Sequence, residues 1–416
     1  MKHSLQQYVP WLIATFACLA LLFSNGMSIT ALPVFDEALL EQFNWQRGEL
    51  KFRDMVTFAV VGLSAPFVGI LIDRYGVRAC MMVGWVILAV AYFLYSNLQS
   101  LLGLYGIHVL LGFVLVACGL NAAVILVSHW FIARRGTAIG IALVGTSLGG
   151  AVLPQLGTYM LENHSWMAAF QAGIIFPIIM LLLTVFAVRN RPEDIGLEPY
   201  GGYAAAESAN EVTGVAYQDA LKTRTFWALA IIAMSTFYTV LAVSAHLFLH
   251  LRDLEFSPQA ATNYISTFFL YALVGKFVFG LLADYLPRKI VFLGNLAVML
   301  LGAICLLTMQ KNIIWVAVTL FGLGWGGVYT MIQLSAMKCF GLKAAGKILG
   351  TITILDALGG GLGIWLTGYI YDRFDSYAPA FWIFTALILV AIICVFQIKP
   401  VAQPLAVSGE RAEGAR

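Results

Sequence analysis

Charged side chains are scarce in this chain: they make up 11% of its 416 residues, against 61% hydrophobic. A soluble domain of average usage carries about 25% charged residues, so the deficit excludes an ordinary soluble protein and points to one that crosses a membrane many times. The net charge of +3 is too small to indicate a nucleic-acid partner. Cysteine is sparse too. Cys18, Cys80, Cys118, Cys305, Cys339 and Cys394 stand singly in or beside apolar segments, which argues against disulfides and zinc ligands and leaves small core residues. No nucleophile–base arrangement and no metal-ligand spacing is visible, so neither an enzyme nor a metal site nor a bound cofactor is expected. No cleavable signal is expected either, because Met1 to Gln7 leads directly into a long apolar segment.

What is present is apolar length. A helix of about 20 apolar residues crosses the hydrocarbon core of a bilayer. Breaks between such runs predict twelve helical spans, over 9–34, 54–73, 79–97, 101–127, 137–160, 168–188, 226–250, 260–283, 289–308, 313–335, 347–370 and 378–398. Glycine recurs inside them, notably Gly140, Gly145, Gly149 and Gly150 in the fifth, and small residues let membrane helices approach closely. The longest hydrophilic break, 189–225, separates an N-terminal bundle of six helices (1–188) from a C-terminal one (226–400). Its small-residue composition predicts a flexible linker, and 401–416 is expected to be a disordered tail. The fold class is therefore an all-α membrane protein of twelve transmembrane helices in two six-helix bundles.

Basic residues set the orientation. With the N-terminus inside, the cytoplasmic segments hold 17 of the 24 lysines and arginines, the outer loops 6, and Lys276 is the remaining one. Acidic residues divide evenly, 10 and 10, with Asp356 between. This asymmetry follows the positive-inside rule, which counts basic residues alone. Both termini are thus expected in the cytoplasm, and the expected location is a bacterial inner membrane.

The halves carry a common signal. After the second span comes Gly69-Ile-Leu-Ile-Asp73-Arg74-Tyr-Gly76-Val-Arg78, and after the eighth Gly280-Leu-Leu-Ala-Asp284-Tyr-Leu-Pro-Arg288-Lys289. Each has a glycine, an aspartate four residues on and basic residues beyond. Parallel repeats about an axis along the membrane normal build one large class of transporters.

On these residues the sequence resembles the major facilitator superfamily over nearly its whole length. The two loops are similar to that superfamily's signature between helices 2 and 3 and its degenerate copy between 8 and 9. Trp130-Phe131-Ile-Ala-Arg134-Arg135-Gly136-Thr-Ala138-Ile-Gly140 resembles the segment entering helix 5 of monocarboxylate transporters and the related oxalate:formate antiporters. Phe43-Asn-Trp45-Gln-Arg47 and Arg191-Pro-Glu-Asp194-Ile-Gly196-Leu are similar to the same group.

Two charges lie deep in the spans. Lys276 is about eight residues from the cytoplasmic end of the eighth span and Asp356 about nine from that of the eleventh, which places both roughly 12–14 Å inside. Intramembrane charge is costly and usually serves transport. Gly275-Lys276-Phe-Val-Phe-Gly280 resembles the group's Gly-Arg-x-x-x-Gly, whose arginine binds the substrate carboxylate. The resemblance implies that role for Lys276, a point charge where a bidentate fork is usual. The group's pattern is not complete. Ala272 stands where animal members have aspartate, the first span holds no lysine, and Ile352 is near the place of the oxalate transporter's second cation. A monoanion is the expected substrate rather than a dianion. Asp356 is the candidate for proton coupling; the alternatives are a structural ion pair with Lys276 or a cap near Gly359–Gly361.

Other candidates follow from helical faces. Trp325, Tyr329 and Gln333 recur every four residues, as an aromatic wall with a polar anchor for the substrate's body or as helix packing. Tyr238 and His246 share a face of the seventh span; His246 is a substrate or proton ligand, or a histidine hydrogen-bonded near the outer end. His108 is expected to pack near the outer surface and His250 to be interfacial. Asn25, Ser28 and Asn121 line a cavity or bond helices together. Asp73, Arg74 and Arg78, with Asp284, Arg288 and Lys289, occupy the rim where the resemblance implies contacts that lock the halves in one state. Arg47, Glu49, Lys51, Arg53 and Asp54 read as a solvated loop and helix start, with Arg53 able to steer anions.

The combined expectation is a secondary transporter, monomeric as a functional unit, that moves a small organic anion with a proton by alternating access. Rivals are a carboxylate exchanger, a carrier of another metabolite or drug, and a membrane sensor.

Overall fold

The computed structural model describes residues 2–202, 214–341, 343–399 and 401, and the side chains of all of these except 2–7, 65, 66 and 68. Eleven helices among them are long and apolar enough to cross a membrane, and Arg47–Ser64 with Gly69–Tyr75, bent by 56°, form a twelfth. The spans are Tyr8–Phe43, Arg47–Tyr75, Val77–Ser96, Leu101–Trp130, Arg135–Asn163, Trp166–Ala187, Arg224–Asp253, Pro258–Tyr285, Arg288–Leu307, Lys311–Phe340, Ala345–Phe374 and Ala378–Gln397. Side-chain caps start several of them: Ser100 accepts from Gly103 N, Ser165 from Ala168 N, Thr223 from Phe226 N and Ser257 from Ala260 N. Each supplies an acceptor to a backbone amide that the helix itself leaves unpaired.

The largest departure from expectation is at the first two spans. The first does not stop at 34. A π-helical turn at Gly26–Thr30 and a 3₁₀ turn at Leu32–Phe35 redirect the chain into a further helix, Asp36–Phe43, which ends on left-handed Asn44 (φ 55). The second begins at Arg47, not 54. Lys51, Arg53 and Asp54 therefore belong to a helix and are buried, as is Asp36; only Glu49 of the expected solvated stretch is exposed. Asp36 receives both Lys51 and Arg53, so each buried charge is met by an opposite one. Hydropathy counts these residues as water-loving because it is blind to partners that lie elsewhere in the chain.

Helix pairing repeats with an offset of six. Spans 1 and 5, 2 and 4, 3 and 4, and 3 and 6 pack in the first half; 7 and 11, 8 and 10, 9 and 10, and 9 and 12 pack in the second. The halves meet through spans 2 with 11 and 5 with 8, two contacts exchanged by the same offset. The described ends of the linker are docked, one on each half. Tyr200 joins the backbone of Trp130, Ile132 and Ala133, while Val215 N donates to Phe340 O. Residues 203–213 and all but Val401 of the tail lie outside the described residues.

Among the described residues, hydrogen bonds and ion pairs cross between the halves at Lys276 and beyond it, toward the end remote from the linker. At that far end Gly48, Gly361 and Gly368 are packed against the opposite half. At the linker end Gly69, Gly140, Gly346 and Gly350 have nothing within 4 Å of where a side chain would begin. The halves are thus closed on each other at the far end and separate toward the linker.

Candidate functional site

Lys276 sits nine residues before Tyr285, the linker-side end of its span, or about 14 Å along the helix. Its backbone position is set by glycine. A side chain at Gly275 would collide with Leu323 O, and one at Gly326 with Ala272 O, so spans 8 and 10 touch backbone to backbone beside the lysine. The ammonium reaches the other half: it donates to Thr146 Oγ1 at 2.8 Å, Ser147 Oγ at 2.9 Å and Leu143 O at 3.3 Å, all on span 5. No salt bridge among the described residues involves Lys276. Direct pairing with Asp356, left open by the sequence, is absent from this arrangement.

Asp356 is buried at 6% exposure on span 11. It borders a small cleft between spans 10 and 11 together with Tyr329, Gln333, Ile352 and Thr353. Tyr329 and Gln333, one turn apart on span 10, face Asp356 across that cleft. The structure therefore gathers Tyr329, Gln333 and Asp356 at one place, with Lys276 across the helix 8–10 contact on the seam between halves. Ile352 is part of that lining, which includes no cation.

The remaining candidates divide. Trp325 stacks on Phe268 (5.1 Å, 15°) and meets Phe269 edge-on (5.2 Å, 75°), packing spans 8 and 10 together. Tyr238 faces Phe384 of span 12 at 6.1 Å, whereas its neighbour Phe237 meets Tyr329 edge-to-face at 6.0 Å. Sequence reasoning missed Phe237 because the pairing of Tyr238 with His246 selected the adjacent helical face. Both nitrogens of His246 are satisfied within its own half, by Tyr377 OH (3.1 Å) and Ile364 O (2.9 Å). His250, one turn from the end of its span, is buried among Tyr377 and Phe381 with neither nitrogen bonded. His108 is buried between Thr57 (2.8 Å) and Tyr95 (3.3 Å). Asn25 is half-buried, Asn121 is exposed, and Ser28 is buried with its hydroxyl unpartnered.

At the linker-side rim, Asp73, Arg74 and Asp284 are exposed. Arg78 donates to Thr184 O and Val185 O, and Arg288 to Leu334 O, each within its own half. The rim therefore does not tie the halves together in this arrangement.

The tie is at the far end, where the sequence suggested only a loop. Arg47 makes a bidentate pair with Asp253 (2.7 and 2.6 Å) and lies 3.7 Å over the Tyr371 ring. Next to Asp253, Arg252 pairs with Glu37 (3.0 and 2.7 Å), so adjacent residues of span 7 hold opposite charges of the other half. The backbone amides of Arg47 and Gly48 donate to the Asp372 carboxylate at 2.9 and 2.6 Å. A helix of one half is thus capped by a carboxylate of the other, where the helix dipole favours negative charge. Deeper in, Lys51 donates to Ala245 O as well as to Asp36. Arg47 also donates to Tyr377 OH (2.8 Å), whose ionisation burial pushes well above the ordinary phenol range.

A separate apolar cavity of ≈ 200 Å³ among Met27, Phe35, Tyr92, Leu153 and Phe170 offers no charge to an anion. Among the described residues no group of histidine, cysteine and carboxylate side chains is arranged to hold a metal.

The sequence profile described as Major Facilitator Superfamily matches residues 16–364 and 250–415. The chain is 27% identical to monocarboxylate transporter 13 of Bos taurus, over 80% of this chain and 76% of that protein. It is 24% identical to an uncharacterised MFS-type transporter, YcxA, of Bacillus subtilis, over 90% and 88%. Monocarboxylate transporter 2 of Mus musculus is 23% identical, over 88% and 79%. Among solved structures, a bacterial homologue of the human lysosomal transporter Spinster, in an inward-facing and unoccupied conformation, matches with TM-score 0.73 at 16% identity. That match covers 94% of this chain and 96% of the other, and it concerns the fold alone.

Proposed function

The chain belongs to the Major Facilitator Superfamily of transporters, and from that premise we propose that it carries a small organic monoanion, a monocarboxylate, across a bacterial inner membrane together with a proton. The observation that carries this reading is Lys276: a cation within the spans, held only by neutral acceptors on the opposite half. A cation set among the spans without a counter-ion is the natural partner of a substrate carboxylate. The names of the monocarboxylate relatives, at 23–27% identity over most of the chain, point the same way. Tyr329, Phe237 and Gln333 flank the substrate's body, and Asp356 is the proton's place, since a proton bound there removes an unpaired buried charge.

The rim residues Asp73, Arg74, Arg78, Asp284 and Arg288 would engage in the opposite state, when the linker end closes. The reading is tested by uptake of labelled formate, acetate, pyruvate and L-lactate into proteoliposomes, with and without an inward proton gradient. Gradient-stimulated uptake of at least one, with stimulation lost in Asp356→Asn, is the expected result. A second reading, anion exchange without protons, is favoured by the lack of a Lys276–Asp356 bridge, because an entering anion then frees no carboxylate. Uptake that ignores the gradient and requires anion inside would establish it.

A further inference from the structure

An ammonium has three N–H donors, and span 5 occupies all of those of Lys276. The acceptors are themselves arranged for it. Thr146 directs its own hydroxyl proton to Leu143 O at 2.9 Å, which leaves its lone pairs for the lysine, and Ser147 is buried at 1% exposure. The bridge is the innermost rung of a polar seam between spans 5 and 8. Farther out, Ser266 donates to Ala151 O (2.7 Å), Gln155 to Asn263 (3.0 Å) and Ser266 (2.8 Å), and Thr158 meets Thr262 (2.5 Å). Every other rung is neutral on both sides. Only the Lys276 rung carries a charge, and only that rung can be competed for by an anion.

We propose that Thr146 and Ser147 are positioning residues that hold Lys276 across the seam, and that the substrate anion binds by exchange for this bridge. This inference rests on the reading of Lys276 as the anion's ligand. A carboxylate is a stronger acceptor than two hydroxyls and a carbonyl, because the hydrogen bond is then charge-assisted at both ends. Substrate binding therefore withdraws the lysine from span 5 and loosens the seam at its inner rung. When the substrate leaves, the hydroxyls take the ammonium back, and the empty carrier can close without stranding a bare cation between its halves. Thr146 and Ser147 thus serve the return of the empty carrier and compete with substrate for Lys276. The fraction of carrier with a free lysine sets the apparent affinity.

The double variant Thr146→Val/Ser147→Ala separates these consequences. The probe is whichever of labelled acetate, pyruvate or L-lactate the unmodified protein transports best in proteoliposomes. The expected result is a lower KM, by about five-fold for a bridge that keeps most carriers occupied. Net uptake is expected to fall while exchange of labelled for unlabelled substrate continues, because exchange never passes through the empty carrier. Thr146→Ser/Ser147→Thr, which keeps both hydroxyls, restores net uptake. A merely structural role would lower uptake and exchange together. That outcome, or an unchanged KM and uptake-to-exchange ratio, overturns the inference. Lys276→Ala distinguishes this from failure of the underlying reading. If that variant binds and transports normally, the anion site itself is wrongly placed; if it fails while the double variant behaves as wild type, only the bridge is refuted.

Discussion

At the scale of single residues, Lys276 carries the functional argument, and its environment explains why one lysine suffices. Its ammonium is satisfied by hydroxyl and carbonyl oxygens in this state, so no counter-charge is needed to keep it there. Truncation to alanine removes a charge-assisted contact of about 1.5–3 kcal/mol, and saturation curves for Lys276→Ala are expected to lose at least about ten-fold in uptake at low substrate. Lys276→Arg is expected to retain transport with altered selectivity among carboxylates, since the guanidinium offers a planar fork. Equal uptake by Lys276→Ala and wild type would remove the lysine from the site.

At the scale of helices, the far-end closure rests on a few contacts that reach across the halves. Asp372 caps the second span in trans, and Arg47–Asp253 with Arg252–Glu37 form two pairs of opposite polarity on adjacent residues. Half-exposed pairs contribute about 1 kcal/mol or less each, and a helix cap about 1 kcal/mol, so together they bias the equilibrium without locking it. Asp372→Ala is expected to shift the population by several-fold toward separation at the far end, read as faster reaction of a far-end cysteine at Gln155 with a membrane-impermeant maleimide. Arg47→Asp alone should do the same, and adding Asp253→Arg should reverse most of it. If the charge-swapped pair is no better closed than the single variant, the ion pair is not a gate element.

For the whole molecule, the six-span offset in helix pairing means that the two seams, spans 2 with 11 and 5 with 8, are copies of one interface. Closure at the far end therefore accompanies separation at the linker end, where Gly140 and Gly350 face open space. A cysteine at Gly140 is expected to react with maleimide applied from the linker side faster than one at Thr158 applied from the far side, with wild type as the background. Slower labelling at Gly140 would mean that the linker end is the closed one. Substrate plus gradient should bring the two rates closer, as expected of a carrier that rocks between states.

Most of the architecture was legible in the sequence because bilayer physics acts on composition. A span must be about 20 residues long and apolar, and basic residues weight one side; twelve spans, two halves and the isolation of Lys276 and Asp356 follow from those rules. The repeated Gly-Asp-basic motif added the superfamily. Tertiary structure alone decided which charges are buried. Lys51, Arg53 and Asp54 read as surface because each is polar by itself, yet with Asp36 they form a charge-compensated cluster inside the bundle. It likewise decided that Lys276 faces Thr146 and Ser147 rather than Asp356, that Phe237 and not Tyr238 meets Tyr329, and that His246 is consumed by Tyr377 and Ile364. Each of these is a pairing between helices distant in the chain. The free energy of a buried charge or polar group depends on its partner, and a partner from another helix is set only when the bundle packs.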